Sequence, residues 1–394
     1  MSDQDTYLKL RQIVIQHQLW LKPEAERKGK QADLSFYNLA KMAIPRVNLA
    51  KAKLAGVSLH GARLAGANLQ LADLFNADLS NADLTGAKLM GADLRGTNFN
   101  EAILSDADMR GADLRRGVLM AASQPDHKPP NAGGLTSMIG ISARRAIMIE
   151  TKLAECDLTG ADFFGADLTG ADLSNSILIS ANLEDANLSR ANVQNAILTG
   201  ASISDHALDY LTKRGALAEG GLSDPGPGFD DLVAGHERWI DSGGGGGARL
   251  DLDRADLRGR RLAGRDLSGS MLRRVSLRNA DLGGAKLVMA DLSWCDLRGA
   301  NLEGADLSGC TLRGANMAGA VLTRAQLGRV DVLGDGSRLW PANLEKARLQ
   351  GADLRDTSLK AAILRGADFT RARVNMATIR DTDFSEAVGI RPGA

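Results

Sequence analysis

Large apolar residues recur at every fifth position along most of this chain, with small or polar residues between them. The phase holds for 18 units from Leu34 to Leu119, then for 12 from Met148 to Ile203, 17 from Leu252 to Val332 and 9 from Leu344 to Phe384. The unit reads A-D/N-L-x-x, as in FNADLSNADLTGAKLMGADL beginning at Phe75. On an α-helix a five-residue step turns roughly 140°, so the leucines would spiral around the whole surface. On a strand, successive leucines would alternate between faces. A chain that bends every five residues keeps them together instead. Each segment then points its leucine, and the small residue two before it, toward a common axis. Four segments close a coil of about 20 residues, and coils stack at roughly 4.8 Å, so side chains 20 apart form ladders.

The stretches ADLSN, ADLTG, AKLMG and GADL resemble the pentapeptide-repeat family. That resemblance implies an all-β solenoid, the right-handed quadrilateral β-helix. It extends over the four blocks above.

Two flanking segments follow a helical period instead. In TYLKLRQIVIQHQLWL, the residues Leu10, Ile13, Val14, His17 and Trp20 share one face; in FDDLVAGHERWI, so do Leu232, His236, Trp239 and Ile240. Both carry His-x-x-Trp a similar distance before the first repeat leucine, which reads as a duplicated cap covering the first coil of a solenoid. A third helix is expected at 204–216, opening on Ser204 and stopping at Gly215. The expected organisation is therefore two tandem solenoids with short α-helical caps. The first spans 1–217, with repeats at 32–120 and 146–204 around a Pro- and Gly-rich loop at 121–145. A linker at 218–228 leads to the second, 229–394, with repeats at 250–333 and 342–386. In the short interruption LGDGSRLWPA, Trp340 is expected to tuck back onto the coil.

Composition narrows the function classes. Lys plus Arg and Asp plus Glu both number 48, so net charge offers no argument for nucleic acid or an anionic membrane. The amino terminus lacks a signal-peptide layout and no run is long enough to span a bilayer, which points to a cytoplasmic protein with no membrane partner. No phosphate-binding, zinc-protease or nucleophile-elbow motif occurs, and neither cofactor nor metal is expected. The many Asp residues occupy a single register position, which reads as structural. Cys156, Cys295 and Cys310 each stand two before a centre, in the inward slot usually held by Ala, and are expected to be buried and inert.

Function is then left to outward side chains. In the second solenoid Arg258, Arg278 and Arg298 are 20 apart, with Arg254 and Arg274 at the adjoining corner, a candidate edge for an anionic partner. In the first, Leu71, Phe75 and Met90 occupy outward positions, and Val288, Met289 and Trp294 form a comparable group in the second. These are candidate protein contacts. The leading expectation is a non-enzymatic scaffold for a protein partner. The family resemblance implies an alternative, since some members modulate type II topoisomerases by imitating duplex DNA. Those are acidic dimers joined at their carboxy-terminal ends, and this chain is neutral. The second solenoid has no apparent carboxy-terminal cap, so weak dimerisation near Phe384 is also expected.

Overall fold

A computed structural model describes residues 3–23, 28–117, 135–218, 222–374 and 382–389. The chain is a β-helix solenoid in which most pairing is by single-residue parallel bridges rather than long strands. Bridges join residues 20 apart, as in Asp33 to Lys53 and on to Asp73, and four such rows run side by side, starting at Asp33, Asn38, Ala43 and Asn48. The hydrogen bonds alternate up and down the stack: Leu54 N–H donates to Asp73 O and Lys53 N–H to Ala32 O.

The repeat unit explains the bend. Each segment closes a turn in which the N–H of the next small residue reaches the leucine carbonyl, as from Ala77 to Leu74 O at 2.9 Å. The third residue of that turn has positive φ, 53° at Asn76 and 64° at Gly86, which is why Gly, Asn and Asp crowd this position. The Asp or Asn before each leucine accepts from the backbone two residues on, as Asp78 Oδ1 does from Ser80 N–H at 3.1 Å. It accepts from the next coil as well, through Asn98 Nδ2 at 3.1 Å. Leucines and alanines of successive coils fill the axis, with Leu54, Leu74 and Leu94 fully buried.

The chain divides into two compact units, Met1–Glu219 and Gly220–Ala394. Each has its own buried apolar cluster. In the first unit helix α1 (Asp3–Trp20) covers the opening coil and α2 (Asp205–Thr212) follows the last repeat. Ser204 caps α2 by accepting from Ala207 N–H, and Leu211 is buried beneath it. In the second unit α3 (Phe229–Asp241) buries Phe229, Val233 and His236. Leu232, expected on the inward face, is 46% exposed, because the i, i+4, i+7 stripe from Phe229 wins the core side.

Both interruptions depart from expectation. Across the first, bridge partners lie 39 apart, Asn98 with Ser137 and Asp113 with Lys152, so a coil carries 19 extra residues. Pairing has already resumed at Ser137, which moves residues 137–145 of the expected loop into the solenoid. The sequence hid this because Ala143 fills a centre slot. Residues 118–134, including the expected centre Leu119, lie outside the described residues. Across the second interruption partners are 32 apart, as in Thr311 with Asn343. The extra residues form an antiparallel hairpin, Arg329–Asp331 with Leu339–Pro341. Val332, expected as a centre, is 38% exposed there, and the buried core pauses after Leu327 until Ala342. Trp340 does not tuck in; it stands 44% exposed on the hairpin.

Candidate interaction surfaces

The duplicated His-x-x-Trp proves to be a pair of backbone caps. His17 is fully buried; its Nδ1 accepts from Ala32 N–H at 3.0 Å and its Nε2 reaches Ala50 O at 2.9 Å, while its ring stacks on Trp20. His236 repeats the arrangement, accepting from Leu250 N–H at 3.1 Å and stacking on Trp239. Its Nε2 finds no partner among the described residues. Burial lowers the pKa of both imidazoles, offset in part at His17 by the hydrogen bond to Ala50 O. These rings are spent on closing the first coil.

Cys156, Cys295 and Cys310 are free and buried. Burial pushes all three thiols far up. The Cys295 Sγ–H donates to Leu272 O at 2.7 Å, which fits an inward packing role.

The arginine edge of the second unit is a run of ion pairs. Arg258 grips Asp256 through two bonds of 2.8 and 2.6 Å, and Arg298 grips Asp296 through two of 2.8 Å. Arg274 is held by Asp253, which also approaches Arg254 at 3.5 Å. Where the unit reads D-L-R or D-M-R the guanidinium folds back on the carboxylate two residues earlier, as also at Arg95, Arg110, Arg115 and Arg355. Arg278 follows Ser276 instead, so that carboxylate is missing from its segment. In place of the expected row of guanidinium groups open to an anion, Arg254, Arg258, Arg274 and Arg298 are each held in an ion pair.

Among the apolar candidates the two groups diverge. Leu71, at a corner with φ of 56°, is 51% exposed and lies across Gly91 of the next coil. Phe75 is half-buried beneath Arg95, whose guanidinium is 5.5 Å from the ring centre. Met90 is half-buried, with Arg110 Nη2 3.1 Å from its sulfur. In the second unit Val288 is half-buried and Met289 is 40% exposed. Trp294 is corrected: only 9% exposed, it lies flat over Gly314, the open corner one coil on. A large side chain at one corner uses the space a glycine leaves at the next.

Sequence reasoning passed over other outward apolar groups. Ile103, 42% exposed, fills the register position that the consensus gives to Asp or Asn. Phe164 follows the centre Phe163, with Arg144 stacked 4.4 Å from its ring. The signal was present in the sequence as a break in the polar consensus. Among the described residues no cluster of His, Cys, Asp and Glu could hold a metal, and no helix is long and apolar enough to cross a membrane.

Comparison with curated proteins gives no match. Among solved structures the chain is similar to HetL, a pentapeptide repeat protein involved in heterocyst differentiation regulation in the cyanobacterium Nostoc sp. strain PCC 7120. The two are 24% identical over 89% of this chain and 91% of that one, with a TM-score of 0.18. It is also similar to full-length QnrB1, a plasmid-mediated fluoroquinolone resistance protein, 15% identical over 82% of this chain and 93% of that one, with a TM-score of 0.14. The family model for pentapeptide repeats matches eight copies, at residues 46–81, 77–116, 136–170, 144–178, 166–205, 251–288, 290–329 and 342–375. With well over half of its length matched, this chain belongs to the pentapeptide-repeat family.

Proposed function

We propose that this protein is a non-enzymatic interaction scaffold. In this reading two right-handed quadrilateral solenoids, 1–217 and 229–394, are joined by the linker 218–228 and present their outer rows to a protein partner in the cytoplasm. The observation that carries the reading is Leu71, an isolated leucine 51% exposed on a lattice whose other leucines are nearly all sealed inside. Its neighbour across the ladder is the backbone of Met90, whose carbonyl accepts from Leu71 N–H at 2.9 Å, so two apolar side chains lie on adjacent coils. A rigid surface loses little conformational freedom on association, which favours binding by few anchors.

Chemical crosslinking of the full chain in native extract, with mass spectrometry of the linked peptides, tests this reading. Lys88 lies two residues before Met90 on the same segment and is exposed. Crosslinks to one recurrent protein at Lys88 are the expected result. Crosslinks confined to abundant bystanders and spread evenly over the lysines would overturn it.

A further inference from the structure

The third ladder row of the first unit runs from Ala43 to Ser202, and Ile103 stands at its middle. The exposed charges along it that make no ion pair among the described residues are segregated. Near one end Arg46 and Arg63 are exposed and make no ion pair among the described residues. Near the other, Glu184 and Asp185 are likewise exposed and without a cationic partner among the described residues. The same polarity runs through the unit. Residues 1–72 hold 11 Lys and Arg against 5 Asp and Glu, while residues 150–209 hold 2 against 10.

The row is self-complementary when reversed about Ile103. Two rungs before Ile103 is Arg63; two rungs after it is Asp162, which already holds Arg144 at 2.8 Å. Along the adjoining corners Arg46 stands three coils before Asp106, and Asp185 three coils after it. Between them, Ala65 mirrors Phe164. Ala65 belongs to a shallow depression of about 610 Å³ lined by Pro45, Arg46, Ala65, Gly66 and Thr85. Phe164, held outward by Arg144, is the side chain the reversed row brings to that depression.

We infer that the first unit binds a second copy of this chain, side by side and antiparallel, through this row. Arg46 then meets Asp185 of the second copy, while Arg63 meets the neutral pair of Asp162 with Arg144, each contact made twice because the interface is isologous. Ile103 packs on its own counterpart at the two-fold axis. Arg46 and Asp185 lie six coils apart, about 29 Å at the interstrand spacing, so the two charge contacts flank an apolar centre. Asp106, on the axis, is neutralised by Arg145 through two bonds of 2.8 Å, which removes the repulsion between copies. A neutral chain thereby gains a charge-steered contact with itself. The inference adds a second copy to the scaffold reading and does not depend on the Leu71 surface.

Sedimentation equilibrium of the full chain tests it. The wild type is expected to dimerise at low salt and to dissociate at least tenfold more readily at high salt. Ile103→Asp places the family's usual residue at that position, so it folds, and is expected to abolish the dimer. Arg46→Asp is expected to weaken dimerisation tenfold or more, and the exchange Arg46→Asp/Asp185→Arg to restore it. A monomer at all concentrations overturns the inference. So does a dimer indifferent to Ile103→Asp but lost in Phe384→Asp, which would place the contact at the carboxy-terminal coil. A monomer that still captures its partner would leave the scaffold reading standing.

Discussion

At the scale of single residues, the chain spends its polar groups on its own backbone, and the exceptions make predictions. His17 must stay neutral, because its Nδ1 accepts from Ala32 N–H while its ring is buried. Its pKa is lowered in the fold, so the unfolded chain binds the additional proton. Stability from this cap is therefore complete above the unfolded value of 6.5 and is lost as pH falls below it toward the folded value. His236 acts in the same direction. Thermal unfolding is expected to show a lower midpoint at pH 5.5 than at 7.5. A His17→Leu/His236→Leu variant, less stable throughout, should lose most of that dependence. Ser270 offers the opposite case. It fills the small inward slot, is fully buried, and its hydroxyl has no partner among the described residues. Ser270→Ala should raise stability by about 1 kcal/mol in chemical denaturation. The burial of the cysteines was legible from register alone, since Cys156, Cys295 and Cys310 all precede a centre by two. The capping role of the histidines was not. Two hydrogen bonds from a ring to the first coil leave no trace in spacing.

At the scale of the element, the five-residue segment is a fixed bend decorated by its corner. Corners differ in what lies over them, so identical substitutions should cost different amounts. A Cβ at Gly314 would meet the Trp294 ring at 2.0 Å, whereas one at Gly304 would meet open space. Both have φ near 65°, so both pay for the left-handed backbone, about 1 kcal/mol. Gly314→Ala should therefore cost about 2–3 kcal/mol and Gly304→Ala about 1. Equal denaturation midpoints for the two variants would contradict the stacked corner. The bend and its inward residues were readable because they repeat. The interruptions were misjudged where a repeat was degenerate: Ala143 hid a resumed coil, and Val332 kept the five-residue phase while leaving the core for a hairpin. Trp294 was misplaced for a related reason. The pattern assigned it outward, and only the glycine 20 residues later shows where the ring goes.

At the scale of the whole molecule, two apolar clusters lie in two compact units, one from Leu10 to Ala216 and one from Phe229 to Phe369. Truncating a stacked leucine in the first, Leu89→Ala, should cost about 2–5 kcal/mol there. Amide hydrogen exchange in the coils between Leu257 and Leu327 is expected to stay unchanged, since mutations sharing no partners do not couple. What the protein is for belongs to outward side chains, and these the repeat does not dictate. Leu71 and Met289 were legible as departures from the polar consensus, and Ile103 and Phe164 were legible in the same way but passed over. The most direct test of the scaffold reading is capture from native extract by the wild-type chain and by a Leu71→Asp/Met90→Asp variant of equal thermal stability. The account predicts that one protein, recovered in near-equal ratio with the wild type, falls at least tenfold with the variant. An identical set of captured proteins for both chains would contradict it.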